Sequence, residues 1–383
     1  MTSATSMKSN RLIPALTAAF FIIAIDAHAI ETPAKNAYIV DMNTGTVLFD
    51  KNSEIPMPPA SMSKLMTVYM VFERLKDGRL SMDDKFLVSE KAWRKGGSKM
   101  FVKVNSRVRV EDLLRGIIIQ SGNDACIVVA EGISGSESKF AEQMTQRAKE
   151  IGLTDSTFKN ATGWPDPEHR MSARDIALVS QRIIEEFPKY YKIFKEKRFK
   201  YNKIRQGNRN PLLYRETGAD GLKTGHTEES GYGLAASLKR DGRRIVLVVN
   251  GLPDIRVRSS ESLRLAEWAF RKFETYALFK KGAAVEQADV WLGKEAAVSL
   301  VVDRDVEITL QRSARRKLTA KIVYTGPIPA PIAKGDKIAK LVISAPDFPT
   351  LEIPLRAGAA VDRLGMSGRV GSAIKHLIWG SPG

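Results

Sequence analysis

The chain of 383 residues contains a single cysteine, Cys126. No internal disulfide can form, so stability must come from a packed core. Histidine is scarce too. His28, His169, His226 and His376 are scattered without metal-ligand spacing, and neither a metal site nor a cofactor is expected. Long apolar runs are also missing: the most hydrophobic stretch, residues 12–25, is too short to cross a bilayer comfortably. Acidic residues are outnumbered, 43 against 60 lysines and arginines, for a net charge of +17. No zinc-finger, RNP or helix-turn-helix signature accompanies that charge, so nucleic acid is not an expected partner. An anionic membrane surface or a cell-wall polymer suits a basic exported protein better.

Export is read from the first residues. Lys8 and Arg11 precede the apolar run, and Ala27-His28-Ala29 has the small-residue form of a cleavage site. Residues 1–29 therefore read as a secretory signal peptide, with an uncleaved anchor as the alternative. The remaining composition, 43% hydrophobic and 27% charged, is that of a globular protein with room for two domains.

Along the mature chain, residues 37–41 and 47–49 read as a hairpin around Asn43-Thr44-Gly45. Leu65, Val68, Tyr69, Phe72 and Leu75 recur at helical spacing after Pro58-Pro59, and Gly78 is a plausible stop. Residues 96–101, rich in glycine, read as a mobile loop, and residues 108–119 open a second helical region. A helix follows Asn123, and Cys126, three residues on, is expected to pack behind the active site. Ser172 caps another helix that ends before Pro188, and Asp241-Gly242 turns into a buried strand over residues 245–250. Residues 259–273 are helical. Beyond residue 281 the apolar positions alternate at period two, so residues 282–357 read as a small all-β domain after a catalytic domain over residues 30–281.

Ser61 and Lys64 carry the first chemical signal. Three residues apart at a helix start, they lie on nearly one face, which brings an amine toward a hydroxyl at the positive end of a helix dipole. A nucleophilic serine needs a base of this kind and a field favouring the oxyanion. The spacing alone is weak: it recurs at Ser136/Lys139, Ser156/Lys159 and Ser372/Lys375, and a serine at a helix start is usually a cap. Ser121-Gly122-Asn123 is either a turn that caps a helix or a hydroxyl and amide extending the proton network.

Ser61-x-x-Lys64, Ser121-Gly122-Asn123 and Lys223-Thr224-Gly225 in that order resemble the motif set of the penicillin-interacting serine enzymes. The flanking text, residues 59–67, 120–125, 208–210 and 220–227, is similar to that of the low-molecular-mass penicillin-binding proteins that are D-alanyl-D-alanine carboxypeptidases. The resemblance implies an α/β (α+β) transpeptidase/β-lactamase-like catalytic domain with a helical subdomain, then the all-β domain and a C-terminal amphipathic helix. It implies removal of the terminal D-alanine from peptidoglycan pentapeptides through an acyl-Ser61 intermediate, with β-lactams as covalent inhibitors. Lys64 is then the base, its pKa lowered by burial and by the neighbouring Lys223, with Ser121 and Asn123 relaying protons and orienting substrate. Lys223, Thr224, Gly225, His226, Arg209 and Arg258 bind substrate, the local text departing from the family's around Arg258, and the amides of Ser61 and His226 form the oxyanion hole. The glutamate text of class A β-lactamases is absent. A D,D-endopeptidase acting on cross-links and a wall-binding protein with a silent site are the alternatives.

Residues 358–383 carry Met366, Val370, Ile374, Leu377 and Ile378 on one helical face with Arg363, Arg369 and Lys375. This is the pattern of an amphipathic anchor, with a disordered tail as the alternative. The resemblance to the carboxypeptidases favours the anchor and implies a peripheral place on the periplasmic face of the inner membrane.

Overall fold

A computed structural model describes residues 30–366 together with residue 368. The expected signal peptide, and all of the expected C-terminal helix beyond those positions, lie outside the described residues. Residues that were expected to begin that helix instead return to the β module: Val361 bridges Ile332, and Arg363 bridges Gly293.

The catalytic module is built on a five-stranded antiparallel sheet in the order Val47–Lys51, Asn36–Asp41, Arg243–Leu252, Gly231–Arg240, Ala219–Thr227. The two expected hairpins are present. At the second, Asp241 (φ +48°) and Gly242 (φ +82°) both take the left-handed conformation that a two-residue hairpin turn demands. Residues 245–250 of the central strand are buried at every position, so both faces of the sheet are covered. The helices Ala173–Glu186 and Ile255–Lys272 pack against it. Ser172 caps the first of these through its hydroxyl, which accepts from the Asp175 amide at 3.1 Å.

A helical subdomain is inserted between the second and third sheet strands in sequence. Its helices, Lys64–Lys76, Asn123–Ser134 and Glu137–Glu150 among them, share one apolar core with the inner face of the sheet. Lys64–Lys76 runs through the middle of this core, which is why Leu65, Val68, Tyr69 and Phe72 are all buried there. A six-stranded sheet and a two-stranded ribbon form the C-terminal module around a separate apolar core of Val298, Leu300, Ile308, Leu341, Ile353 and Leu355. Its ribbon begins with strand Phe273–Phe279, which leaves the long helix directly and pairs with Val306–Gln311.

Arg243 ties the modules together. Its Nε donates to the fully buried Asp41 carboxylate at 2.6 Å and its Nη1 to the Phe273 carbonyl at 2.8 Å, where the helix gives way to the ribbon. Asp41 also accepts the Asn43 amide at 2.9 Å in the first hairpin turn. Removing one partner of such a pair leaves a charge buried and unpaired. Arg243→Ala is expected to destabilise the protein by about 3 kcal/mol, read as a shift in urea denaturation; a change below about 0.5 kcal/mol would show that the surface tolerates its loss.

Candidate active site

Pro59 leads into a short 3-10 turn, Ala60–Ser63, that runs straight into the helix Lys64–Lys76. Ala60 has φ +48°, unusual for a residue with a Cβ, and the conformation is held by two close approaches. A Cβ on Gly163 would meet the Ala60 carbonyl oxygen at 1.9 Å, and one on Gly225 would meet the Pro59 oxygen at 2.8 Å. Only glycine lets the Asn160–Trp164 loop and the edge strand press this tightly on the turn that carries Ser61.

The Lys64 ammonium is completely buried. It donates to Ser61 Oγ at 2.7 Å and to the carbonyl of Thr162. The other occurrences of the same spacing among the described residues are different: Ser136 Oγ accepts from the Lys139 amide as a helix cap, and Ser156 donates to Asp175. Lys223, 3% exposed, donates to Ser121 Oγ at 2.8 Å and to the Thr224 carbonyl at 3.2 Å. Among the described residues neither ammonium has a carboxylate as hydrogen-bond partner. Burial is the first cause that lowers the Lys64 pKa to about 8, with the Arg209 and Lys95 charges acting in the same direction. Lys223 lies well below the ordinary lysine value, chiefly through burial and then through the Lys64 charge. The two ammonium groups are coupled, the Lys64 charge being the second cause that lowers Lys223, while Arg209 and Lys95 add to the lowering of Lys64. Cys126 is fully buried behind both lysines, its thiol pushed up to about 12 by burial.

A π-turn, Gly116–Gln120, ends at Ser121, whose φ of +67° swings its hydroxyl toward Lys223 before the helix starts at Asn123. The residue 96–101 stretch, expected to be mobile, is tied down. Asn123 Nδ2 donates to the Gly96 carbonyl at 2.9 Å, and the Asn123 amide to the Ser98 carbonyl at 2.7 Å. The buried Asp124 carboxylate accepts the amides of Met100, Phe101 and Val102 at 2.9, 2.9 and 3.2 Å. A glycine-rich sequence suggests mobility only while its backbone groups lack partners, and here the next helix start supplies them. Sequence reasoning missed Asp124, Ser98 and the Thr162 carbonyl; only the acid directly after Asn123 carried a local signal.

Lys223, Thr224 and Gly225 lie in the edge strand Ala219–Thr227. The cleft beside it, about 460 Å³, is lined by Ser61, Ser121, Arg209, Thr224, His226 and Arg258 among others. Arg209 Nη1 donates to Ser98 Oγ at 2.7 Å. His226 is stacked on Tyr232 with ring centroids 3.8 Å apart. Arg258, in the first turns of Ile255–Lys272, is 5% exposed, sits 5.8 Å from the Tyr232 ring, and its Nε has no partner. All ten residues singled out from the sequence thus converge, the two lysines beneath the floor and Asn123 holding the Gly96–Ser98 wall. Such a site offers a hydroxyl with an amine beside it, and for an anion the buried Arg258 guanidinium together with the exposed Arg209.

Residues 23–253 match the family model described as D-alanyl-D-alanine carboxypeptidase, and residues 273–363 match that of the penicillin-binding protein 5 C-terminal domain. The chain is 36% identical over 375 residues to D-alanyl-D-alanine carboxypeptidase DacC of Escherichia coli, covering 94% of each. It superposes on penicillin-binding protein 5 of Haemophilus influenzae with a TM-score of 0.79 and 35% identity, covering 88% of this chain and 99% of that one. The D-alanyl-D-alanine endopeptidase of Escherichia coli is a weaker match, 28% identical over 62% of this chain and 77% of that protein.

With the Lys64 pKa lowered to about 8, the amine is mostly protonated below that pH and free to accept a proton above it. The rate of acylation by a β-lactam should therefore rise with pH through about 8 and then level, while Lys64→Arg, which cannot give up its proton, should stay slow throughout. Stopped-flow acylation between about pH 6 and 10 measures this; a flat profile would assign the base elsewhere.

Proposed function

The chain belongs to the D-alanyl-D-alanine carboxypeptidase family of serine hydrolases, and from that premise we propose that Ser61 is its nucleophile and Lys64 the base. The observation that carries this reading is the 2.7 Å contact between Lys64 Nζ and Ser61 Oγ in a centre where, among the described residues, the amine has no carboxylate as hydrogen-bond partner. Ser61 Oγ attacks the carbonyl between the last two D-alanines of a peptidoglycan pentapeptide as its proton passes to Lys64. The amides of Ser61 and His226 would receive the oxyanion. The proton then reaches the leaving amine, with the Ser121–Lys223 pair as the second stage of the relay. D-Alanine departs, and water attacks the acyl-serine ester with Lys64 again accepting a proton, which regenerates Ser61.

Recognition of the terminal carboxylate falls to Thr224, Arg209 and Arg258. Arg258 in particular is a buried guanidinium with an unpartnered Nε, a state that an incoming carboxylate would relieve. That preference for a free chain end supports exopeptidase over endopeptidase action. β-Lactams, which present a strained amide and a carboxylate, would acylate Ser61 in the same orientation.

Residues 1–29 as a signal peptide, and the basic apolar residues beyond 364 as a tether, support a protein exported and held peripherally at the periplasmic face of the inner membrane. Among the described residues no helix is long and apolar enough to cross a membrane.

Incubating the protein with a pentapeptide wall fragment should give a product lighter by one alanine, and Ser61→Ala should abolish both this and penicillin labelling without loss of fold. An acyl adduct on Ser61→Ala would sink the assignment. Stopping the chain after Leu364, which keeps the Ile332–Val361 and Gly293–Arg363 bridges, should release the enzyme from anionic vesicles while activity on small peptides persists. Equal sedimentation of the two forms would move the membrane contact elsewhere.

A further inference from the structure

Lys95 and Trp164 form a pair that the steps above do not use. The half-buried Lys95 ammonium stands 4.2 Å from the centroid of the Trp164 ring, and the indole is 42% exposed. Among the described residues this ammonium makes no ion pair. The acid that acts on it, Glu137, is committed elsewhere: one oxygen pairs with Lys91 at 2.8 Å and the other accepts the Ala161 amide.

The pair borders the reaction centre. A Cβ on Gly97 would lie 2.8 Å from Asn123 Nδ2 and 3.1 Å from the Trp164 ring, so a single glycine separates the indole from the amide of Asn123. Trp164 ends the loop whose Thr162 carbonyl receives Lys64. Its own amide is fixed by Asn160 Oδ1 and Thr162 Oγ1 at 3.0 and 3.1 Å, and its carbonyl accepts Asn160 Nδ2 at 3.0 Å. The ring is therefore carried on a rigid turn. Arg209, Thr224 and Arg258 belong to other segments, the edge strand and its neighbours, and answer to the substrate's terminal carboxylate. Beyond Asn123, the wall of Lys95 and Trp164 is left for the chain on the acyl side of the scissile bond.

Resting on the carboxypeptidase reading, we propose that Lys95 and Trp164 form a subsite for the acyl-donor stem, selecting chains with a free side-chain carboxylate on the residue preceding the D-alanyl pair. The indole face packs the aliphatic part of that residue. The ammonium, shielded from water on one side by the ring and lacking an acid of its own, pairs with the carboxylate. A partly desolvated, unmatched cation gains more from such a partner than a lysine in open solvent.

Two synthetic pentapeptides test this, identical except that the side chain preceding the D-alanyl pair ends in a carboxylate or in a carboxamide. With the full chain, kcat/KM from D-alanine release should favour the carboxylate about 10-fold, the equivalent of about 1.4 kcal/mol. Lys95→Gln should bring the ratio to about one, and Lys95→Arg should retain the preference. Because both substrates share the chemical step, the ratio cancels any effect of Lys95 on the Lys64 base. Trp164→Leu, which removes the ring that holds the ammonium, should also reduce the preference. An unchanged ratio in Lys95→Gln, or no preference in the unaltered protein, overturns the subsite. D-Alanine release from neither substrate overturns the carboxypeptidase reading itself.

Discussion

Two lysines share one buried centre in which, among the described residues, neither has a carboxylate as hydrogen-bond partner, and much of the catalytic module is arranged around that constraint. An ammonium removed from water must find oxygen acceptors or lose its proton. Lys64 has Ser61 Oγ and the Thr162 carbonyl; Lys223 has Ser121 Oγ and the Thr224 carbonyl. These neutral acceptors satisfy the protonated amines without stabilising their charge as a carboxylate would. The same environment that makes Lys64 expensive to protonate suits it to act as a base, and its hydroxyl acceptor, Ser61 Oγ, is the nucleophile of the proposed reaction. Delivering four oxygens from four separate segments requires backbones to meet closely, which is why glycine occupies positions 163 and 225.

Asp124 shows how a nearby acid is kept from undoing this arrangement. It is buried one residue from Asn123, and its charge acts on Lys64 in the raising direction. Paired directly with that amine, it would fix the proton and abolish the base. Instead both carboxylate oxygens are taken up by the amides of residues 100–102. The result does two things at once: a buried carboxylate is satisfied by backbone donors, and the irregular segment that supplies Ser98 to Arg209 and the Gly96 carbonyl to Asn123 is held against the cleft. Burial is the main cause that lowers the Lys64 pKa, and the charges of Arg209, which donates to Ser98 of this segment, and of Lys95, which precedes Gly96, add to it.

The C-terminal module has its own core and touches the catalytic module through polar contacts such as Thr44 Oγ1 to Thr309 Oγ1 at 2.9 Å. Arg243 makes the junction firmer, because one guanidinium serves both the first sheet hairpin and the carbonyl at the head of the ribbon. None of the ten site residues singled out from the sequence lies in the β module, and residues 361–364 return onto it.

Local physics made a good share of this legible in advance. Helical spacing placed the helix after Ser61, turn chemistry placed both hairpins, and period-two alternation marked the β module, because each signal is carried by residues adjacent in the chain. Ordered motifs named the residues that converge. The spacing by itself could not separate Ser61 from Ser136, which has the same spacing and is a cap; in the structure the difference lies in the distant Thr162 carbonyl that receives the buried Lys64 amine. Nor did it show that Lys223-Thr224-Gly225 lies within an edge strand, since glycine and lysine disguise a segment whose conformation comes from pairing with Gly231–Arg240. The glycine-rich stretch at 96–101 was rigid for the same reason. Backbone groups that look free in one dimension were claimed by Asn123 and Asp124, and the energy that decided it comes from burial and hydrogen bonds between residues more than twenty positions apart.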